Sequence, residues 1–173
     1  MAAWQMAKAL FTAGERGWHR FVSMQNHYNL VYREEEREMI PLCIDQGVGL
    51  LPWSPLARGF LTGSRTREAP RPTTRSRSDE FADRMYYQEE DFRVLDALLE
   101  VGRKRGAPPS RIALAWLLSV PGVVAPIIGA TDAGHLEQAA PAVEMELTHE
   151  EIEALETHYV PHPILGHDQP GPR

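Results

Sequence analysis

Gly49-Leu-Leu-Pro-Trp-Ser-Pro-Leu-Ala-Arg-Gly-Phe-Leu-Thr-Gly63 decides how this chain is read. Its first five residues, Gly49 to Trp53, are a short apolar run entered from a glycine, the pattern of a buried strand. Beyond Trp53 the sustained period is lost. From Pro55 to about Tyr87 the chain is dense in Gly, Pro, Ser, Thr and Arg. So long a stretch inside one domain is expected to be functional or disordered.

Upstream, Phe21-Val-Ser-Met24 predicts another short strand, and Ala2 to Gly14 a helix, with Trp4, Ala7, Lys8, Leu10 and Phe11 at roughly helical spacing. Arg33 to Gln46 reads as a helix stopped by Gly47, with Glu34, Glu35 and Glu36 favouring the positive end of its dipole as an exposed first turn. Downstream, Gln88 to Arg105 is amphipathic, with Phe92, Leu95, Leu98, Leu99 and Val101 to one side. Pro108 and Pro109 open a helix over Ser110 to Ser119. Val123 to Ile128 is a third apolar strand, and Thr131-Asp132 can cap the helix after it. Thr148 and Glu151 make a capping box for the last helix, and a loose tail is expected from Pro161 to Arg173.

Strands alternating with helices imply an α/β fold with parallel strands covered by helices, because parallel pairing needs a crossover. The chain has 173 residues, whereas a closed (β/α)₈ barrel takes about 250. Three strands therefore point to a small open sheet or to part of a larger barrel, with residues 1–160 as one domain and 161–173 as tail.

Composition narrows the function. A net charge of −6 argues against a nucleic-acid binder with a basic face. The single cysteine, Cys43, excludes a disulfide framework or a multi-cysteine zinc site and suits a reducing, cytoplasmic setting; on its amphipathic helix it reads as a buried apolar residue. No apolar run approaches 18 residues, and Met1 to Leu10 lacks the marks of a secretory signal, so no membrane partner is expected. Lysine occurs only at Lys8 and Lys104, neither at a strand end, which leaves Schiff-base chemistry without a candidate. His158, His162 and His167 have no cysteine to complete a tetrahedral set, so no metal is expected. His27 and Tyr28 look like an acid/base pair, but neighbouring strand residues point to opposite sides, and they read as structural.

Four blocks carry a resemblance. Phe21-Val-Ser-Met-Gln-Asn-His-Tyr-Asn-Leu30, the run Leu51 to Gly63, Ile112-Ala-Leu-Ala-Trp-Leu-Leu118, and Pro126-Ile-Ile-Gly-Ala-Thr131 with Leu136-Glu-Gln-Ala-Ala140 occur in the order found in aldo/keto reductases. Thr148 to Tyr159 resembles that family's closing helix. The resemblance implies the C-terminal half of a (β/α)₈ barrel, from the helix after the fifth strand onward, and NADP(H)-dependent carbonyl reduction on a small-molecule substrate. It also implies that 55–87 is the loop covering the cofactor.

Residue by residue, the resemblance gives Gln25 to the nicotinamide carboxamide and Trp53 to stacking on the nicotinamide ring. Ser54, Leu56 and Arg58 fall to the pyrophosphate, and Arg65 and Arg75 of the arginine run to an anionic group, since a guanidinium fork suits phosphate. Gly129, Thr131, His135 and Gln138 fall to the adenosine phosphate at a strand-to-helix junction. The family's lysine position is Ser64 here and an asparagine position is Ala139, departures that touch phosphate and adenine recognition.

No position matches the family's catalytic tyrosine, lysine, aspartate and histidine, which come from earlier strands. The isolated chain is therefore expected to be inactive, with NADPH binding weakened or lost. Two other readings are a non-catalytic module (nucleotide-binding, or completing a barrel by self-association or with a complementary N-terminal fragment) and a truncated gene product without selected function. A small phosphate-binding isomerase or aldolase lacks the placed lysine or paired carboxylates it would need.

Overall fold

A computed structural model describes residues 1–67, 82, 85–130 and 133–164. The first helix, α1 (Ala3–Glu15), turns Met6, Leu10 and Ala13 inward, three to four residues apart. Trp4 and Phe11, expected on the same stripe, are 58% and 68% exposed.

The expected helix from Arg33 is divided. Glu34–Glu36 form one 3₁₀ turn, and α2 runs only over Met39–Gln46. Pro41 explains the division. It has no N–H for the carbonyl four residues back, so a helix containing it must start just before it. Gly47, at φ 65°, ends α2 in the left-handed conformation that glycine adopts without strain.

β1 (Ser23–Met24) pairs in parallel with β2 (Gly49–Leu50), Ser23 opposite Gly49 and Met24 opposite Leu50. The expected third strand joins β2 only through two parallel bridges, Leu50 to Val123 and Trp53 to Ile127. A further bridge, His27 to Trp53, carries the β1–β2 alignment towards the strand ends. The three segments thus lie side by side with β2 central, but regular pairing is brief.

Helices cover one face of this sheet. Alternation puts Met24, Leu50 and Val123 on that face, where they join the main core. Two long helices supply much of the cover: α3 (Glu89–Arg105) and α4 (Pro109–Ser119). Asp91 accepts from the Gln88 N–H at 3.0 Å at the head of α3, and Gly106, at φ 60°, closes it. The short α5 (Ala133–Ala139) comes next, then α6 (His149–Glu156), which starts with the expected reciprocal cap: Glu151 N–H donates to Thr148 Oγ1 at 3.3 Å and Thr148 N–H to Glu151 Oε2 at 2.8 Å. Leu50, Phe60, Leu61, Leu98, Ile112, Leu117 and Leu155 are fully enclosed, each such side chain contributing about 1.5–3 kcal/mol.

The opposite face is open. Ser23 and Gln25 are exposed, and Val124 is 65% exposed. Gly49 lies on this face as well, since a Cβ there would stand 2.7 Å from Val124 Cγ2.

Three sequence expectations change. The 55–87 segment is not structureless at its start, because Ala57–Thr62 coil into 3₁₀ turns with Ala57, Phe60 and Leu61 buried. Nor is the acidic run Glu34–Glu36 an exposed first turn. Glu34 is buried, accepts from the Tyr159 hydroxyl at 2.7 Å and the His162 N–H at 2.8 Å, and pairs with Arg37 at 2.7 Å. Glu36 accepts from the Tyr28 hydroxyl at 2.6 Å and pairs with Arg33 at 2.7 Å. His162, placed by sequence in the loose tail, is buried with its Nε2 2.9 Å from Asp91 Oδ1. Cys43 is fully buried, and burial raises its thiol pKa.

Candidate functional site

At the C-terminal end of β2 the backbone makes a turn that few side chains favour. Ser54, Ala57 and Arg58 take φ of 56°, 47° and 54°, and Gly59 takes 94°. Left-handed geometry costs a non-glycine residue about 1–2 kcal/mol, so the surroundings must hold it. Asn29 Nδ2 donates to the Ser54 carbonyl at 3.0 Å, and Arg58 N–H donates to Ser54 Oγ at 3.2 Å. Arg65, only 5% exposed, donates from Nη2 to the Arg58 carbonyl at 2.6 Å with its guanidinium 5.5 Å from the Tyr87 ring centre. Pro55, Ala57, Phe60 and Leu61 seat the turn on the core. Strained backbone held this firmly is characteristic of functional sites.

The turn forms one wall of a cleft of about 580 Å³, within the range of small-molecule sites. Trp53, Ser54, Leu56, Arg58, Thr62 and Ser64 line it from the bridge residue beyond β2 and from the turn. Across from them are Ile127, Ile128 and Gly129 at the end of the third strand segment, then His135 and Gln138 of α5. Pro108 and Ser110 contribute from the start of α4. The cleft thus offers a flat indole, apolar sides, a guanidinium, several hydroxyls, an imidazole and an amide. Such a set suits a ligand that joins a planar ring to anionic groups.

Behind Trp53 stands a buried aromatic stack. The His27 ring lies 4.3 Å from the indole at 20° and 4.1 Å from the Tyr32 ring at 19°. The Tyr86 hydroxyl is 2.6 Å from His27 Nε2, and Asn29 Nδ2 is 3.3 Å from the same nitrogen and 3.2 Å from the hydroxyl. The amide nitrogen can only donate. The network therefore assigns Nε2 as an acceptor and the Tyr86 hydroxyl as its donor. Burial, then the nearby charges of His162 and Arg58, bring the His27 pKa down to about 3, and burial raises that of Tyr86. His27 is neutral at physiological pH.

Of the residues singled out by sequence, Trp53, Ser54, Leu56, Arg58, Gly129, His135 and Gln138 meet at this cleft. Gln25 is exposed and is not among the lining residues. Arg65 does not line the cleft either, and instead buttresses the turn that does. Arg75 and Thr131 lie outside the described residues. His27 and Tyr28 face apart, His27 against Trp53 and Tyr28 against Trp116, as alternation required.

Sequence reasoning missed Thr62, Pro108, Ser110, Ile127 and Ile128 as lining residues. For Ser110 a signal existed: a hydroxyl just inside a proline-opened helix is placed to face what the helix start faces. Among the described residues no helix is long and apolar enough to cross a membrane.

A sequence profile of the Aldo/keto reductase family matches residues 1–160. The chain is 42% identical to a versiconal hemiacetal acetate reductase of Aspergillus parasiticus, an alignment covering 95% of this chain and 48% of that protein. It is 44% identical to an aldo-keto reductase of Fusarium vanettenii and 43% identical to one of Metarhizium robertsii, each covering 96% of this chain and 44% of the relative. The chain spans about half the length of the curated relatives it matches. With a match over nearly its whole length, and strand-end residues gathered at one cleft, the chain belongs to the aldo/keto reductase family.

Proposed function

We propose that this chain forms the dinucleotide cradle of an NADP(H)-dependent carbonyl reductase. The convergence of Trp53, Arg58, Gly129, His135 and Gln138, drawn from three separate segments, on one cleft carries this reading. When bound, the nicotinamide supplies the hydride that reduces a carbonyl carbon. Trp53 offers its indole face to that ring. Ser54, Arg58, Thr62 and Ser64 offer hydroxyls and a guanidinium to phosphate oxygens, and His135 and Gln138 take the adenosine end. The substrate is a small carbonyl compound.

Within this reading the chain holds the cofactor but does not deliver the proton. Tyr86 and His27, the one hydrogen-bonded tyrosine–imidazole pair among the described residues, are 3% and 7% exposed and bonded to each other. A carbonyl in the cleft cannot reach that hydroxyl without breaking the stack. General acid and positioning effects are worth several powers of ten, so the 173 residues alone are expected to bind NADPH without measurable aldehyde reduction.

The test is NADPH titration followed by tryptophan fluorescence, with Trp53→Ala as control. Quenching in the native chain that is lost in Trp53→Ala supports the stacked nicotinamide. Equal quenching in both, or turnover near one per second, overturns the proposal.

The open sheet face favours a second element of function. Val124 exposes 65% of its surface, and β1 has β2 as its one sheet neighbour among the described residues. Such faces and edges recruit further strands. The proposed partner is a polypeptide carrying the remaining strands of a family barrel, with which the cradle would form a complete reductase.

A further inference from the structure

Trp53 reaches the cleft from a stack that no feature of the proposed cofactor chemistry requires. Its indole has the His27 imidazole parallel to one face at 4.3 Å, so a planar ligand meets the other. Tyr32 backs the imidazole at 4.1 Å, which prevents it from sliding away from the indole. In the ring plane, His27 is fixed by the Tyr86 hydroxyl at 2.6 Å, and Asn29 bonds both that hydroxyl and the Ser54 carbonyl. All of these groups except Trp53 and Ser54 are buried.

The bonds span the molecule. Tyr86 lies 59 residues beyond His27, at the far end of the 55–87 segment, whereas Ser54 and Trp53 stand just before its start. Tyr87, the next residue, takes a φ of 78° and meets the Arg65 guanidinium, which in turn holds the Arg58 carbonyl. Both ends of the segment are therefore pinned to the same indole and the same strained turn.

We infer that His27 is a positioning residue of this cleft: its stacked imidazole sets the plane of the Trp53 indole, and the Tyr86–His27 hydrogen bond ties the end of the 55–87 segment to that plane. This rests on the reading that a nicotinamide ring stacks on Trp53. The Tyr86 hydroxyl bonded to Nε2, itself held by Asn29, fixes the imidazole's rotation, and the imidazole fixes the indole by contact, so the ligand finds its platform already oriented. Pre-ordering of this kind lowers the cost of binding without adding a contact to the ligand. His27 touches neither cofactor nor substrate.

The test labels the chain with 5-fluorotryptophan, giving four ¹⁹F resonances, that of Trp53 being identified by its loss in Trp53→Phe. In the absence of ligand, His27→Ala and Tyr86→Phe should shift or broaden the Trp53 resonance and leave that of Trp4, on α1, in place. NADPH dissociation constants should then rise about two- to tenfold in both variants, the worth of one aromatic pair. His27→Phe, which restores the stack but not the hydrogen bond, should recover part of the affinity, a rescue that a merely structural role would not show. An unchanged Trp53 resonance in both variants overturns the inference, as does a moved resonance with unchanged NADPH affinity. If the native chain shows no response to NADPH, the cofactor reading falls, and the ligand-free Trp53 resonance alone decides whether His27 orients the indole. Tyr86→Phe removes one oxygen atom and carries the test if His27→Ala does not fold.

Discussion

Acidification should weaken this fold through one imidazole. His27 is buried, and its pKa is lowered from 6.5 to about 3 in the native state. A group depressed on folding binds more protons in the unfolded chain, so the stability it confers is complete above about pH 6.5 and is lost as the pH falls towards 3. At pH 5, one and a half units below the unfolded value, the loss is about 2 kcal/mol. His162 acts in the opposite sense. Burial pulls its pKa down, but Asp91, the Val160 backbone and Glu34 more than offset this, so the net shift is upward. Its contribution is complete below the unfolded value near 6.5 and fades as the pH rises through the folded one. The two are separated with His27→Gln, a neutral side chain that leaves His162 as the one of the pair still titrating. Urea denaturation of both proteins, followed by far-ultraviolet circular dichroism at pH 7.5, 6.5 and 5, should show the native chain's advantage shrinking by about 2 kcal/mol over that span. Carboxylates common to both cancel in the difference. A constant gap across the three pH values, or a His27 ring proton that titrates near 6.5 by NMR, refutes the account.

Single contacts set the other expectations. Gly102→Ala, in the last turn of α3, should lower Tm although alanine is normally the better helix former, because the new Cβ would stand 2.9 Å from the Ala107 carbonyl oxygen; a raised Tm would contradict it. Arg65→Ala removes the donor to the Arg58 carbonyl at 2.6 Å and should cost about 1.5–3 kcal/mol by chemical denaturation. Arg67→Ala, on an exposed pair with Glu89 and Asp96, should leave Tm nearly unmoved; equal losses from the two would deny the buttressing role. Light scattering after size exclusion should show the chain associating with a co-expressed fragment carrying the other barrel strands, and Val124→Lys should weaken that complex. A stable, monodisperse chain indifferent to the fragment argues against an interface on the open face.

Local pattern carried most of the architecture. The amphipathic stripe of α3, the cap at Thr148 and the strand ending at Trp53 each depend on residues within a few positions of one another, where periodicity and capping chemistry act. The residues gathered at the cleft were named through the family resemblance, whose blocks are themselves short local runs: Trp53, Ser54, Leu56 and Arg58 in one, and Gly129, His135 and Gln138 just after the neighbouring strand segment. Where reading failed, the cause was a partner far along the chain. His27 reads as structural and is buried in a stack, but the Tyr86 hydroxyl that bonds it lies 59 positions later, beyond the reach of local pattern. Arg65 sits in an arginine run that suggests an anion, yet its guanidinium satisfies a backbone carbonyl that only the left-handed turn exposes. The misplaced start of α2 is different in kind, since Pro41 was a local signal in plain view.

Glu34 takes hydrogen bonds from residues 125 and 128 positions away, Tyr159 and His162, and Tyr159 also accepts from the Arg33 N–H. A protease nick just ahead of Tyr159 would therefore do more than shorten the molecule. It would leave an enclosed carboxylate with Arg37 as its remaining counter-charge in this knot, and it would unseat the imidazole that stands 2.9 Å from Asp91 at the head of α3. Damage at the far terminus would be felt beside the 3₁₀ turn that precedes α2.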